Sequence, residues 1–375
     1  MTKIKVLFTL DSLAQGGTEQ SILELAKGFS NKIEVSVVYF YPNHQLLQEF
    51  KNENCKIYFL NLKGRHSWIK GIIKLYRLLK NSQTDLVVSS LYRSSIISRI
   101  SCLLTHKKLI GTFVEDNYGE ERIKTFRGII AKFKFYFTWL IDRWTAFIPN
   151  HWISNGKTIG FNNSSALGIS FSKISIINRG RNVSEIKPWT PPKNKIFSFV
   201  SIGRLYEKKG FIELIDAFFI LQKNHPDVSL VIYGEGPLRA ILENKISLLQ
   251  LEDKIKLAGN FPKAFLKLYD AHCFVFPSRF EGFSGSLIEA MMSGIPILCS
   301  DIPMNLEAVV AEHTALVHKI NDVKDLEEKM SEMISNYSVM IEMGKRASAI
   351  AIEKYDIRII SKQYEELLKN VHESK

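Results

Sequence analysis

Short apolar runs recur along the first half of the chain, each followed by a polar stretch and then a longer segment with helical spacing. The runs are IKVLFTL (4–10), EVSVVYF (34–40), KIYFL (56–60), DLVVSS (85–90), KLIGTF (108–113), WISN (152–155) and ISIIN (174–178). Strand-length runs alternating with helical patterns predict βαβ units and a parallel sheet. The pattern then breaks at KPWTPPKNK (187–195), where three prolines and three lysines leave little to bury. It resumes with FSFVSIG, VSLVIYG, KIKLAG, FVFPS and IPILCS, separated by helices such as FIELIDAFFILQ. The chain therefore reads as α/β, with two doubly wound domains. These are residues 1–188 and 196–352, joined by a linker at 189–195 and followed by a terminal helical segment at 353–375. In that segment Ile359, Ile360, Tyr364, Leu367 and Leu368 share one predicted face.

At 375 residues the chain is long for one core, which favours two domains of ordinary size. Cys55, Cys102, Cys273 and Cys299 are scattered without metal-ligand spacing and read as reduced core residues of a cytoplasmic protein. Residues 1–10 are too short an apolar run for a signal peptide, and Asp11 interrupts them. The charge is lopsided. Residues 1–190 hold 27 Lys+Arg against 13 Asp+Glu, whereas 191–375 hold 23 against 25, so the first half carries the whole basic excess. Such asymmetry points to a polyanionic partner of the first domain: an anionic membrane surface, a phosphorylated acceptor or nucleic acid.

Candidate chemistry gathers in four loops. PSRFEGFSGSLIEAMMSG (277–294) places Glu281 after an apolar strand and Glu289 eight residues later, on a short helix closed by Gly294. A carboxylate at a strand's carboxyl end, beside a helix amino end, is where open α/β sheets bind ligands. Glu289 has a second reading, because Ser286 and Glu289 have the spacing of a capping box. In SIGRLYEKKGF (201–211) Arg204 and Lys209 stand where they can clamp a diphosphate, while Lys208 and Lys209 equally suit a solvated pair. QGGTEQ (15–20) follows the first strand; Gly16 and Gly17 allow close backbone approach, or simply make a tight turn, and Thr18 can cap the next helix. YGEGP (233–237) is a glycine turn of low specificity.

Several chemistries are not signalled. Gly156-Lys157-Thr158 has His151 where a P-loop needs its first glycine. No GxGxxG follows a strand, and Asp-x-Asp and HExxH are missing, so neither a nicotinamide cofactor nor a carboxylate-bound metal is expected.

Taken in order, Gly-Gly-x-Glu, GRL…KG, YGEGP and E-x7-E resemble the retaining glycosyltransferases of family 4, which have the GT-B fold. The resemblance runs almost end to end and is strongest over 196–310. It implies two Rossmann-like domains facing across a cleft, with a nucleotide-sugar donor, UDP-linked in this reading, held mainly by the second. By similarity Arg204 and Lys209 would hold the donor diphosphate, Glu281 the sugar hydroxyls and Glu289 the ribose. Amides of Phe283, Ser284, Gly285 and Ser286 would contact sugar and phosphate. Gly16 and Gly17 would line the cleft from the first domain, to which the terminal helix would return. No metal or other cofactor is implied. Where many family members have a histidine after LIGTF, this chain has Glu115-Asp116, leaving open a sugar or acceptor contact or a plain capping role.

The acceptor clue lies in RIKTFRGIIAKFKFYFTWLIDRWTAFIP (122–149). Phe126, Ile130, Phe133, Phe137, Leu140, Trp144 and Phe147 form a helical stripe that a core explains. Phe135, Tyr136 and Trp139 beside Arg122, Lys124, Arg127, Lys132 and Lys134 fit an interfacial segment instead. Six charges across 123–148 argue against a membrane-spanning helix. A lipid-linked or glycan acceptor and attachment to the inner face of the cell membrane suit this segment, and nucleic acid does not. A sugar-nucleotide epimerase and a non-catalytic sugar-nucleotide binder are the competing expectations.

Overall fold

The computed structural model describes residues 3–64, 67–126 and 128–374. The chain divides into two compact units, Met1–Arg181 together with Ile357–Lys375, and Asn182–Asp356.

In the first unit, β1 (Ile4–Leu10), β2 (Ile33–Tyr39), β3 (Lys56–Phe59), β4 (Leu86–Ser89), β5 (Lys108–Phe113), β6 (His151–Ser154) and β7 (Ile174–Ile176) pair in parallel, in the order β3-β2-β1-β4-β5-β6-β7. All seven apolar runs become strands with ends shifted by a position or two. Helices cover both faces of the sheet, so its central strands are buried on both sides. Val6, Phe8 and Leu10 of β1 enter one core layer, and Leu7 enters the other. The helix Ile357–Glu373 completes the first layer with Ile357, Ile360, Leu368 and Val371, while Tyr364 and Leu367 pack against it half-buried. Ile359 lies off that face and is exposed. Ser30 donates from its amide and its hydroxyl to the Glu365 carboxylate, fixing the returned helix.

The second unit repeats the plan with β8 (Phe197–Ile202), β9 (Val228–Tyr233), β10 (Ile255–Gly259), β11 (Cys273–Phe276), β12 (Ile297–Ser300) and β13 (Leu316–His318), ordered β10-β9-β8-β11-β12-β13. Only the three-residue β13 escapes the sequence pattern. The proline-rich segment begins as part of this unit: Trp189 is buried, its amide donates to Ser293 O at 2.7 Å, and its indole N–H donates to Ala271 O at 3.0 Å.

The aromatic segment departs from the core reading. It forms two helices, Glu120–Lys124 and Ile129–Thr145, and Arg127 lies outside the described residues. On the longer one, hereafter the aromatic helix, the stripe Ile130, Phe133, Phe137, Leu140 and Trp144 faces outward, as does Phe147 beyond its end. The one fully buried residue of the helix is Asp142. Arg99 explains the inversion. Its guanidinium, buried in the helix Tyr92–Thr105 and 4.9 Å from the Trp152 ring centroid, donates to Asp142 Oδ1 at 2.6 Å and to Thr145 Oγ1 at 2.8 Å. Tyr118 donates its phenol proton to the other Asp142 oxygen at 2.5 Å. A buried cation demands a counter-ion, and satisfying it sets the rotation of the aromatic helix.

Asp142→Leu should therefore strand Arg99 without its counter-ion and destabilise the fold by about 3–5 kcal/mol. Arg99→Met/Asp142→Leu should recover most of that loss. Urea denaturation of wild type, both single variants and the double variant measures the coupling, and strictly additive losses would contradict it.

Candidate functional site

The two sheet orders reverse direction at β1/β4 and at β8/β11, and the loops after those strands lie side by side at the sheet's carboxyl edge. In the second unit these loops are 203–210, after β8, and 277–284, after β11. They are interlocked through glycine. Gly210 has φ +68°, and a Cβ there would meet Pro277 O at 2.1 Å; the amide of Arg279 donates to Lys208 O at 2.7 Å. The YGEGP turn closes the other side, with Gly203 N donating to Tyr233 O and Leu205 N to Glu235 O, each at 2.9 Å. A Cβ on Gly234, which has φ +145°, would fall 1.9 Å from Gly203 O. The glycine turn of low sequence specificity is thus a packing partner of the loop that carries Arg204.

This scaffold joins Lys209 and Glu281. Lys209 Nζ lies 2.5 Å from Glu281 Oε1, and the two residues are 9 % and 7 % exposed, so this is a buried ion pair rather than a solvated lysine. The ammonium also sits 5.0 Å from the Phe276 ring centroid. Burial pushes Lys209 below the usual lysine range; the Glu281 carboxylate opposes that shift, while the Lys208 and Arg204 cations add to it. Arg204 itself is exposed, with its guanidinium 5.2 Å from the Tyr206 ring centroid.

Beside the pair begins the helix Gly285–Ser293, whose N-cap is Ser284 without a side-chain cap hydrogen bond. Its first amides and the positive end of its dipole suit an anion. Phe283 turns its ring into the core, 5.2 Å from that of Tyr355, leaving its backbone for other contacts. Ser286 and the half-buried Glu289 both lie within the helix, so Ser286 does not hold the N-cap place a capping box requires. Sequence reasoning passed over Ser278, fully buried in the same loop with a hydroxyl that makes no hydrogen bond among the described residues.

In the first unit, Gly16 is the N-cap of the helix Gly17–Gly28, so Thr18 lies inside the helix and does not cap it. The Glu19 carboxylate occupies the space a Cβ on Gly16 would need, at 2.2 Å, and Arg179 Nη1 lies 3.1 Å from the Cβ position of Gly17. Arg179 has no local sequence signal, because it follows β7 at the far side of the sheet order. Asp116 is buried with both oxygens engaged, accepting from Gly119 N at 2.8 Å and from Asn162 Nδ2 at 2.9 Å. That arrangement braces the 116–119 turn and is not a helix cap, because the helix Glu120–Lys124 has Gly119 as its N-cap and no side-chain cap hydrogen bond. Burial raises the Asp116 pKa, against the pull of those hydrogen bonds. Glu115 is half-buried beside it.

A cavity of about 600 Å³ opens at the carboxyl ends of β1–β3, lined among others by Asp11, Tyr41, Lys63 and Arg93. Asp11 Oδ1 accepts the amide of Ser94 at 2.9 Å, so it caps a helix whose own N-cap residue, Leu91, is held at φ 71° and cannot cap. The Arg93 guanidinium lies 5.7 Å from the Tyr41 ring centroid, and the Tyr41 hydroxyl is buried without a hydrogen bond among the described residues.

Two family models account for most of the chain: Glycosyltransferase Family 4 over 15–185 and Glycosyl transferases group 1 over 183–352. An uncharacterized glycosyltransferase of Methanocaldococcus jannaschii is 32 % identical over 125 residues, which is 33 % of this chain and 31 % of that one. The UDP-Gal:alpha-D-GlcNAc-diphosphoundecaprenol alpha-1,3-galactosyltransferase of Escherichia coli is 27 % identical over 270 residues, covering 68 % of this chain and 67 % of its own. Among solved structures, Anabaena HepE in complex with UDP and glucose superposes with a TM-score of 0.84 at 18 % identity, over 98 % of this chain and all of that one. With two doubly wound units on the GT-B plan and both family models matched in order, the chain belongs to the family 4 glycosyltransferases.

Proposed function

We propose that the chain transfers a hexosyl or N-acetylhexosaminyl unit from a UDP-sugar to a lipid-linked or glycan acceptor. The transfer retains anomeric configuration and serves bacterial surface polysaccharide synthesis at the cytoplasmic side of the membrane. One observation carries the reading: a buried Lys209–Glu281 pair with Arg204 in electrostatic range, beside a helix amino end without a side-chain cap. The complex of HepE with UDP and glucose, and the donor and acceptor named for the E. coli relative, support the substrate classes.

Breaking the bond between the sugar C1 and the diphosphate oxygen puts negative charge on the leaving group. Arg204, Lys209 and the amides of 283–286 are fixed in advance where that charge develops, so they bind the transition state better than the ground state. Those cations supply the charge a metal would otherwise bring, and no metal is required. Glu281 orients the hexose through its hydroxyls, and Glu289 holds the ribose. The acceptor hydroxyl attacks C1 on the face the diphosphate leaves, and its proton passes to the departing phosphate oxygen. Gly16 and Gly17 let backbone approach the donor, and Glu115 touches sugar or acceptor. The cavity around Arg93 and Lys63 takes the anionic end of the acceptor, with the Tyr41 hydroxyl as a further partner.

Acceptor-dependent release of UDP tests the assignment directly. Arg204→Ala and Lys209→Ala should each lower kcat/KM about 10²–10³-fold, while EDTA leaves the wild-type rate unchanged. UDP release without an acceptor would favour a hydrolase, conversion of the donor sugar without release an epimerase, and no turnover a binder. The depressed Lys209 pKa adds a pH signature. The ammonium binds diphosphate while charged, so UDP affinity should fall as pH rises through a value below the usual lysine range. Lys209→Arg should push that alkaline limb upward, and an unmoved limb in calorimetric titration would deny Lys209 the role. Arg93→Ala should raise the KM for a diphosphate-linked acceptor about ten- to hundredfold and leave UDP affinity intact; an unchanged acceptor KM removes the cavity from the reaction.

A further inference from the structure

We infer that the aromatic helix Ile129–Thr145 is an interfacial anchor that lays its outer face on an anionic lipid bilayer. It deepens the acceptor half of the reading above, but it stands on separate observations. The helix is inverted relative to an ordinary amphipathic packing: its buried residue is a carboxylate, while Ile129, Phe133, Trp144 and the following Phe147 are 89 %, 70 %, 71 % and 74 % exposed.

The inversion is fixed. The inner side is bolted down by Arg99 to Asp142 and Thr145, by Tyr118 to Asp142, by the Tyr92 hydroxyl to Thr138 O at 2.8 Å and by the Trp139 indole to Ala166 O at 3.0 Å. Rolling the apolar stripe inward would break all of these and bring Asp142 to the surface.

The outer face also has a sign. Lys132, Lys134 and Arg143 are exposed among the aromatics, and the only acid of the helix is the buried, paired Asp142. Aromatic rings interleaved with cations are the composition of a segment lying in the headgroup layer, with rings among the upper acyl chains and cations at the phosphates. A second copy of the same face would press like charges together. Spanning is a different matter: among the described residues no helix is long and apolar enough to cross a membrane.

The full chain should co-sediment with vesicles of phosphatidylcholine mixed with phosphatidylglycerol, but not with phosphatidylcholine alone, and added salt should weaken the association. Phe133→Glu/Trp144→Glu should abolish binding. Lys132→Ala/Lys134→Ala should reduce it about fivefold per cation removed. Because these side chains are exposed, both variants should keep the wild-type Tm and the wild-type Tm increase on adding UDP. Absence of wild-type binding to anionic vesicles overturns the anchor, as does full binding by Phe133→Glu/Trp144→Glu. A wild-type dimer that this variant dissolves, seen by light scattering, assigns the face to a second copy and overturns it as well. Intact acceptor-dependent UDP release without vesicle binding sinks the anchor alone; vesicle binding without UDP release sinks the transfer reading alone.

Discussion

Two opposite charges taken out of water, the Lys209 ammonium and the Glu281 carboxylate, govern the geometry of the second unit's loops. A buried ion pair is a poor source of stability, since desolvation offsets most of the Coulomb gain. What such a pair does well is to require one arrangement of the segments that bear it. Lys209 comes from the loop after β8 and Glu281 from the loop after β11, 72 residues further along. They meet because β8 and β11 are neighbours at the point where the sheet order reverses. The same adjacency sets the amino end of the helix Gly285–Ser293 beside them, so cation, carboxylate and peptide dipoles share one rim without help from any flexible segment.

The first unit solves a related problem with the opposite outcome for its surface. Arg99 lies deep under the aromatic helix and draws Asp142 inward, and the aromatic side chains are left on the outside as a result. Burying a charge pair thus dictates which side of a helix meets the surroundings. Hydrophobicity alone would choose the other side.

The strands and the loops of the second unit's candidate site were readable because their signals are local. Each apolar run, each glycine turn and the GRL and E-x7-E spacings sit within a dozen residues, and the ordered set specifies the sheet. What escaped was settled by partners distant in the chain. The aromatic stripe was read as core-facing because periodicity identifies a face but not what lies opposite, and Arg99 is 43 residues upstream of Asp142. Thr18 and Ser286 were expected at caps, but each helix starts earlier, with Gly16 and Ser284 at the N-cap places. Asp11, Tyr41 and Arg93 carry no motif at all; three strand ends bring them together. Glu115 and Asp116 carried the same signal in sequence, and the contacts of Asp116 with Asn162 and Gly119 were announced by neither.

The meshed glycines of the second unit bear on how such proteins diversify. Because Gly234 and Gly210 leave no room for a Cβ against Gly203 O and Pro277 O, neither neighbouring segment can be exchanged by itself for one of different shape. The segments after β8, β9 and β11 therefore form one steric block. Chimeras assembled to alter sugar preference will keep their fold only when all three are transplanted as a block.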